Sequence, residues 1–296
     1  MTTVRSTLVL ALVAGCGFQV SAGQGTAQDG GLDARGDATD AMLDAPIDAP
    51  IDMNIPFVDQ DNDTIADSQD NCVVAPNTNQ RNHDADPFGD ACDRCPHISS
   101  QTDPDGDGDG VGDLCDPRPS TGGDARVLWA GFYDAMEIDG WGGQGTFTVS
   151  GGYLVQAGGG TTGYAPPGNV NVPFVMTEVL IDTLIAQNGT IGVAVNTPAN
   201  DQFECTIAKT GANIIVRARE QGGDSAQATW TGLFAAGERV TFRLDMANDV
   251  DCRAIQGVQN LQRVASTNSD PTGQTFLGTE GIAARFDYLF VVDEAP

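Results

Sequence analysis

The alternation of apolar and polar positions divides the chain into two unlike parts. From about Arg126 to the end, short runs alternate apolar with polar residues and are punctuated by turn signals, which is the signature of half-buried strands. The pattern predicts strands at Val127–Phe132, Thr146–Val149, Tyr153–Gln156, Phe174–Asp182, Thr190–Asn196, Gln202–Ala208, Asn213–Arg219, Arg239–Asp245, Val258–Ala265 and Gly281–Val292. Gly151-Gly152, Gly211-Ala212-Asn213, Gly222-Gly223 and Asn248-Asp249 mark tight connections between them. Long helical periodicity is absent. Residues 126–296 are therefore expected to form a β-sandwich, a jelly roll rather than an immunoglobulin-like one given the length and the number of strands.

Upstream the period-2 pattern disappears. Arg5 followed by the apolar run Leu8 to Ala14 has the layout of a secretory signal, and that run is far short of the ~20 residues that span a bilayer. Leu12-Val13-Ala14-Gly15-Cys16 resembles a bacterial lipobox. The resemblance implies a signal peptide over residues 1–15 and lipidation of Cys16, with an ordinary signal peptide as the alternative. Gly17 in place of an aspartate points to an exported protein on the outer membrane or cell surface, with secretion as the alternative. Residues 16–56 are rich in Gly, Ala, Ser and Asp. Asp29, Asp33, Asp37, Asp40, Asp44, Asp48 and Asp52 recur every three or four positions, but Gly30, Gly31, Gly36, Pro46, Pro50 and like-charge repulsion oppose a helix. The segment reads as an acidic tether spanning roughly 35 Å.

Charge sharpens the picture. The 296 residues carry 41 acids against 14 bases, a net charge of −27, which excludes a nucleic-acid partner. Residues 1–125 hold 23 of the acids, all aspartate, and only 5 of the bases. So acidic a segment, with so few aromatics, cannot fold unless something neutralises it.

Its spacing names a neutraliser. Asp59, Asp61, Asp63, Asp67 and Asp70 recur 23 residues later as Asn82, Asp84, Asp86, Asp90 and Asp93, and again as Asp105, Asp107, Asp109, Asp113 and Asp116. Each set occupies positions 1, 3, 5, 9 and 12 of a loop. Ca²⁺ takes six to eight oxygen ligands, and position 7 of such a loop offers its backbone carbonyl, here from Ile65, Phe88 and Val111. Gly110 and Gly112, at positions 6 and 8 of the third loop, are expected to supply the unusual backbone angles of the curl, whereas Thr64 and Pro87 hold position 6 in the other two.

The cysteines share the period: Cys72 and Cys95, like Cys92 and Cys115, are 23 apart. With Asp70-Asn71-Cys72, Asn77, Gln80, Gly89-Asp90-Ala91-Cys92-Asp93, Cys95-Pro96 and Asp105-Gly106-Asp107-Gly108-Asp109-Gly110-Val111-Gly112-Asp113-Leu114-Cys115-Asp116, residues 57–120 resemble thrombospondin type 3 repeats. Val73, Asn82, Ser100 and Asp103 depart from that pattern. The resemblance implies calcium wrapped by irregular chain and disulfides Cys72–Cys92 and Cys95–Cys115. A zinc site on Cys92-Asp93-Arg94-Cys95 is the rival, disfavoured by the hard carboxylates around it and by export to an oxidising compartment. With the other cysteines assigned, Cys205 and Cys252 are expected to pair, the alternative being two buried thiols.

In the second part, Trp129, Phe132, Gly140-Trp141, Gly152-Tyr153-Leu154, Gly281-Ile282 and Phe286-Asp287-Tyr288 look like a concanavalin A-like lectin/glucanase or laminin G-like domain. That resemblance implies a glycan or surface-protein ligand, and Trp141, Tyr164 and Trp230 are candidates to stack on sugar. Glu137-Ile138-Asp139 begins the carboxylate run of laminarinase-type glycosidases, but no second Glu follows. His83 and His97 both fall in the acidic segment, so the sandwich has no histidine base, and its single lysine is Lys209. The expectation is a non-enzymatic adhesion or recognition protein made of lipid anchor, tether, calcium-stiffened stalk and terminal sandwich. A carbohydrate-active hydrolase or a purely structural envelope protein are the alternatives.

Overall fold

The structure, a computed structural model, describes residues 57–294 apart from 159–161, 185–186, 199–200, 221–224, 248 and 267–271. The signal peptide, Cys16 and the tether lie outside the described residues. Residues 57–124 form an irregular chain of turns and bends, and a β-sandwich follows.

One sheet contains β1 (Ala125–Ala130), β3 (Phe147–Val149), β4 (Leu154–Gln156), β6 (Pro173–Leu184), β11 (Arg239–Asp245), β12 (Asp249–Gln256), β13 (Gln259–Ser266), β15 (Ile282–Phe286) and β16 (Leu289–Asp293). The other contains β2 (Gly142–Gln144), β5 (Thr162–Ala165), β7 (Asn188–Asn196), β8 (Gln202–Thr210), β9 (Asn213–Glu220), β10 (Ser225–Thr229) and β14 (Gln274–Glu280). The first sheet runs β13-β12-β11-β6-β15-β4-β3, with β16 paired to both β6 and β1. The second runs β10-β9-β8-β7-β14-β5-β2. All pairings are antiparallel, as the predicted jelly-roll sandwich requires.

Five strands escaped the sequence reading, namely β2, β5, β10, β12 and β14. β2, β5 and β14 carry glycines and β12 charged residues, which lowers strand propensity, and β10, Ser225–Thr229, has no large apolar residue to mark it. The predicted strand Gly281–Val292 is two strands: β15 pairs with β6 as far as Phe286↔Val179, and β16 resumes at Phe290↔Met176. Between them Asp287 donates its N–H to the Glu178 carbonyl at 2.8 Å.

The facing sides of the sheets make the main core, including Val179, Ile181, Phe242 and Leu244 from one and Ile191, Val193, Phe203 and Ile207 from the other. Cys205 of β8 and Cys252 of β12 are disulfide-bonded across it. β11 is buried at alternate residues only, but β6 and β16 are buried at consecutive residues from Pro173 to Thr177 and from Leu289 to Val292. Burial on both faces explains this, because a strand covered on both sides reads as a continuous apolar run.

The second cover is the acidic segment. Val111 and the Cys95–Cys115 disulfide, with Ile98 beside them, pack on Phe174, Met176, Tyr288, Phe290 and Val292 and on Trp129. The segment is therefore no free-standing stalk, and that expectation is corrected: its third repeat lies on the outer face of the first sheet. Polar contacts reinforce the seam. Asp90 Oδ2 accepts from Trp129 Nε1 at 3.2 Å and from the Tyr133 hydroxyl at 2.8 Å. Arg81 pairs with Asp134 and, at 2.6 Å, with Glu137.

His97 lies in this seam, its ring centroid 4.5 Å from that of Tyr288, 4.7 Å from Phe290 and 6.0 Å from Trp129. Both ring nitrogens are shut off from water without a partner. Loss of hydration, with His83 and Arg126 adding to it, holds its basicity down to about 3.

Two outcomes follow for the seam. Phe290→Ala should cost about 3–5 kcal/mol and speed proteolysis within residues 57–124, read by denaturant melts and timed digestion. Unfolded His97 takes up a proton near 6.5 while the folded ring resists, so acidification favours the unfolded chain and this contribution is lost as pH falls below 6.5. His97→Phe should therefore gain on the parent by about 2 kcal/mol between pH 6.5 and 5, and a constant difference across that range would refute the assignment.

Candidate functional site

The three loops repeat their hydrogen bonds as faithfully as their residues. At position 9, Asp67, Asp90 and Asp113 accept the N–H of Gln60, His83 and Gly106 at 2.8, 2.8 and 2.7 Å. At position 5, Asp63, Asp86 and Asp109 accept through Oδ1 from Ile65, Phe88 and Val111 at 2.8, 2.7 and 3.0 Å. Their Oδ2 atoms accept from Asn77, Ser100 and Gly123 at 2.8, 3.0 and 3.1 Å, each 14 residues on. At position 12, Asp70, Asp93 and Asp116 accept from Cys72, Cys95 and Arg118 at 2.8, 2.7 and 2.6 Å.

The curl uses Gly110 as expected but not Gly112. Its left-handed backbone falls at position 4, where Asn62, Ala85 and Gly108 have φ of 64°, 59° and 82°, and at position 6, where Thr64 and Gly110 have 81° and 96°. Gly112 at position 8 serves packing instead: a Cβ there would lie 2.7 Å from Cys95 Sγ.

Three groups of carboxylates converge within the loops, Asp59–Asp61–Asp63, Asp84–Asp86–Asp93 and Asp105–Asp107–Asp109, each with ligand atoms within 4.8 Å of one another. Asp109 also joins Asp116 and Asp124 in a fourth. Asp67, Asp90 and Asp113 stand outside these groups and cap the loops. Enclosed oxygens without a partner remain on Asp61, Asp70, Asn82, Asp84, Asp93, Asp107 and Asp116. Unpaired buried carboxylate oxygens are costly, and desolvation pushes Asp93 and Asp116 up to about 7. A set of hard oxygen donors fits a divalent cation of the calcium type. Zinc has no thiolate to bind, because Cys72 is bonded to Cys92 and Cys95 to Cys115.

The sandwich offers a second site. A groove of about 630 Å³ crosses the outer face of the second sheet. Its floor is a row read across the strands, Thr206, Gly192, Gly278 and Gly163, ending at Gln144. A Cβ on Gly192 would fall 2.1 Å from the Cys205 carbonyl oxygen, so the floor is bare of necessity there. Glu204, Ala194 and Phe276 form the adjacent row, with Asn196 and Gln202 beyond it and Thr190 and Glu280 on the opposite side. Arg219 pairs with Glu204 at 2.5 Å, while Thr206 Oγ1 and Asn196 Oδ1 are enclosed without partners.

None of the three expected stacking residues points its ring into this groove as a lining group. Trp230 is buried in the core, and Tyr164 stacks on Phe147 at 4.7 Å with Trp141 at 5.9 Å behind it. Phe276 is the aromatic of the groove. Sequence reading missed it with its strand, though Gln274–Glu280 alternates cleanly in burial. Glu137 is occupied by Arg81 and by the N–H groups of Phe132 and Tyr133, at 2.7 and 3.1 Å for the latter two.

No protein-family model matches the chain, and no curated protein matches it. Similar solved structures include the CBM2 module of the evolved Dit of Lactobacillus casei BL23 phage J-1, at 10% identity and TM-score 0.43, covering 57% of this chain and 96% of that one. The carbohydrate binding module CBM66 from Bacillus subtilis matches at 11% and 0.40, covering 50% and 92%. SCLam, a non-specific endo-β-1,3(4)-glucanase from family GH16, matches at 10% and 0.44, covering 58% and 92%. Likeness at this level assigns no residue a role. The expectation of a non-enzymatic protein draws no support from these structures, because glycosidases of families GH16 and GH43 stand beside binding modules among them.

In the metal-free chain Asp93 loses stability as pH rises from the ordinary carboxylate range toward 7, because the folded group resists ionisation. Asp93→Asn should thus melt higher than the parent in chelator but gain less from added calcium, measured by paired thermal scans at neutral pH.

Proposed function

We propose that this protein is a lipid-anchored, calcium-binding surface protein whose sandwich holds a neutral glycan in the groove of the second sheet. The observation that carries the glycan reading is the groove floor. Three glycines in one cross-strand row leave a flat strip on which a sugar ring can lie. Phe276 supplies an apolar face beside it, and Gln144, Thr190, Asn196, Gln202, Glu204 and Thr206 supply donors and acceptors. The two carboxylates of the rim, Glu204 and Glu280, disfavour acidic sugars.

Calcium in the loops supports a structural role. The cation would be held by Asp59, Asp61, Asp63 and Asp70 in the first loop and by their 23-residue equivalents in the others, satisfying oxygens that burial leaves bare. Extracellular calcium modules bind at about 10⁻⁴ to 10⁻³ M, which suits a structural role better than signalling. Anchoring through Cys16 would hold the ensemble at a membrane surface.

A glycan array probed with the full chain in calcium tests the groove, paired with product analysis of every glycan retained. Capture of neutral oligosaccharides, weakened at least about tenfold by Phe276→Ala and abolished by Gly163→Val, supports the reading; release of shorter sugars would add hydrolysis. An array blank for neutral glycans, or binding indifferent to both substitutions, would overturn it.

A further inference from the structure

The glycine-floored row of the groove runs on past its lining. Thr206 of β8 lies opposite Arg217 of β9, and Arg217 opposite Gln227 of β10, in register with Gly192, Gly278 and Gly163. Directly opposite residues of an antiparallel pair hold their Cβ atoms about 4.5–5.5 Å apart on one face. Val216 and Ala218 are buried in the core, so Arg217 between them points its side chain to the outer face that carries the groove.

In a chain with 41 acids and 14 bases, an arginine without an acid is unexpected. Among the described residues every other arginine meets a carboxylate or a backbone carbonyl. Arg217, half-buried, meets neither. The acid of the adjacent row, Glu204, is already held by Arg219 at 2.5 Å.

Thr206 supplies an independent observation. It is 7% exposed, lines the groove, and its Oγ1 is enclosed without a partner. A bare buried hydroxyl costs free energy unless something completes its hydrogen bond.

We infer that Thr206 and Arg217 form an anionic subsite at the β9 end of the groove, which takes a carboxylate or sulfate carried by one unit of the glycan. A guanidinium offers two parallel N–H donors to such a group, and the Thr206 hydroxyl donates a further hydrogen bond. At the other end stands Glu280 of β14, three strand spacings or roughly 14 Å from β9, and it repels an anion. Glu204, between the two, is neutralised by Arg219. The opposed charges of Arg217 and Glu280 give the groove a direction: neutral units lie over the glycines and the acidic unit over β8 and β9. The inference rests on the glycan reading of the groove and narrows it.

A glycan array that prints each neutral oligosaccharide beside the same chain ending in a uronic acid, and beside its sulfated form, tests the subsite with the full chain in calcium chloride. At least one acidic form should be retained at about tenfold lower protein concentration than its neutral parent. The gain should vanish in Arg217→Gln, shrink in Thr206→Val, and fade in about 0.5 M sodium chloride as charge screening requires. Whether the carboxylate or the sulfate carries the gain identifies the substituent. Acidic forms retained no better than their parents, or a gain untouched by Arg217→Gln, would overturn the subsite and leave the neutral groove standing. An array blank for neutral and acidic forms alike would remove the groove reading and the subsite with it.

Discussion

Hydrogen bonds from backbone amides to aspartate oxygens hold the first sixty or so described residues in shape, and everything built on that segment depends on them. Burial cannot do the work where apolar side chains are so few. Carboxylates at positions 5, 9 and 12 of each loop instead collect N–H groups from two, seven or fourteen residues away. Charge-assisted bonds of this kind are stronger than neutral ones, but they gather like charges into small volumes. The same acids that shape the chain therefore create the repulsion that a cation relieves.

The sandwich obeys the opposite rule, and the two meet where their rules overlap. Phe174, Met176, Phe290 and Val292 would leave an apolar strip on the outer face of the first sheet. The third repeat covers that strip with a disulfide and a valine, the few apolar groups it has. Coverage of one sheet leaves the outer face of the other for a ligand, which is where the glycine-floored groove lies.

Legibility in the sequence followed the physics of each part. The loops were readable nearly residue by residue, because ligand geometry imposes a fixed spacing and two periods, of acids and of cysteines, coincide at 23. Their division of labour was not: that Asp67, Asp90 and Asp113 cap while their neighbours converge is a matter of three-dimensional direction. In the sandwich, strands with clean alternation such as β11 were found, whereas β14 buries Thr275 and Thr279 and turns Phe276 outward, the reverse of the usual pattern, and β5 is only four residues long with Gly163 inside it. The docking of the repeats left one trace, the unbroken apolar runs of β6 and β16, which only two-sided burial explains.

The Cys205–Cys252 bridge has a bearing on recognition. Cys205 sits between Glu204 and Thr206, so the strand that supplies one wall of the groove is bolted through the core to β12 of the opposite sheet. A wall fixed in this way is preorganised: little conformational freedom remains to be lost when a ligand enters. The corollary is intolerance. A groove that cannot widen selects by shape, admitting ligands that already match it and rejecting those that would need it to adapt.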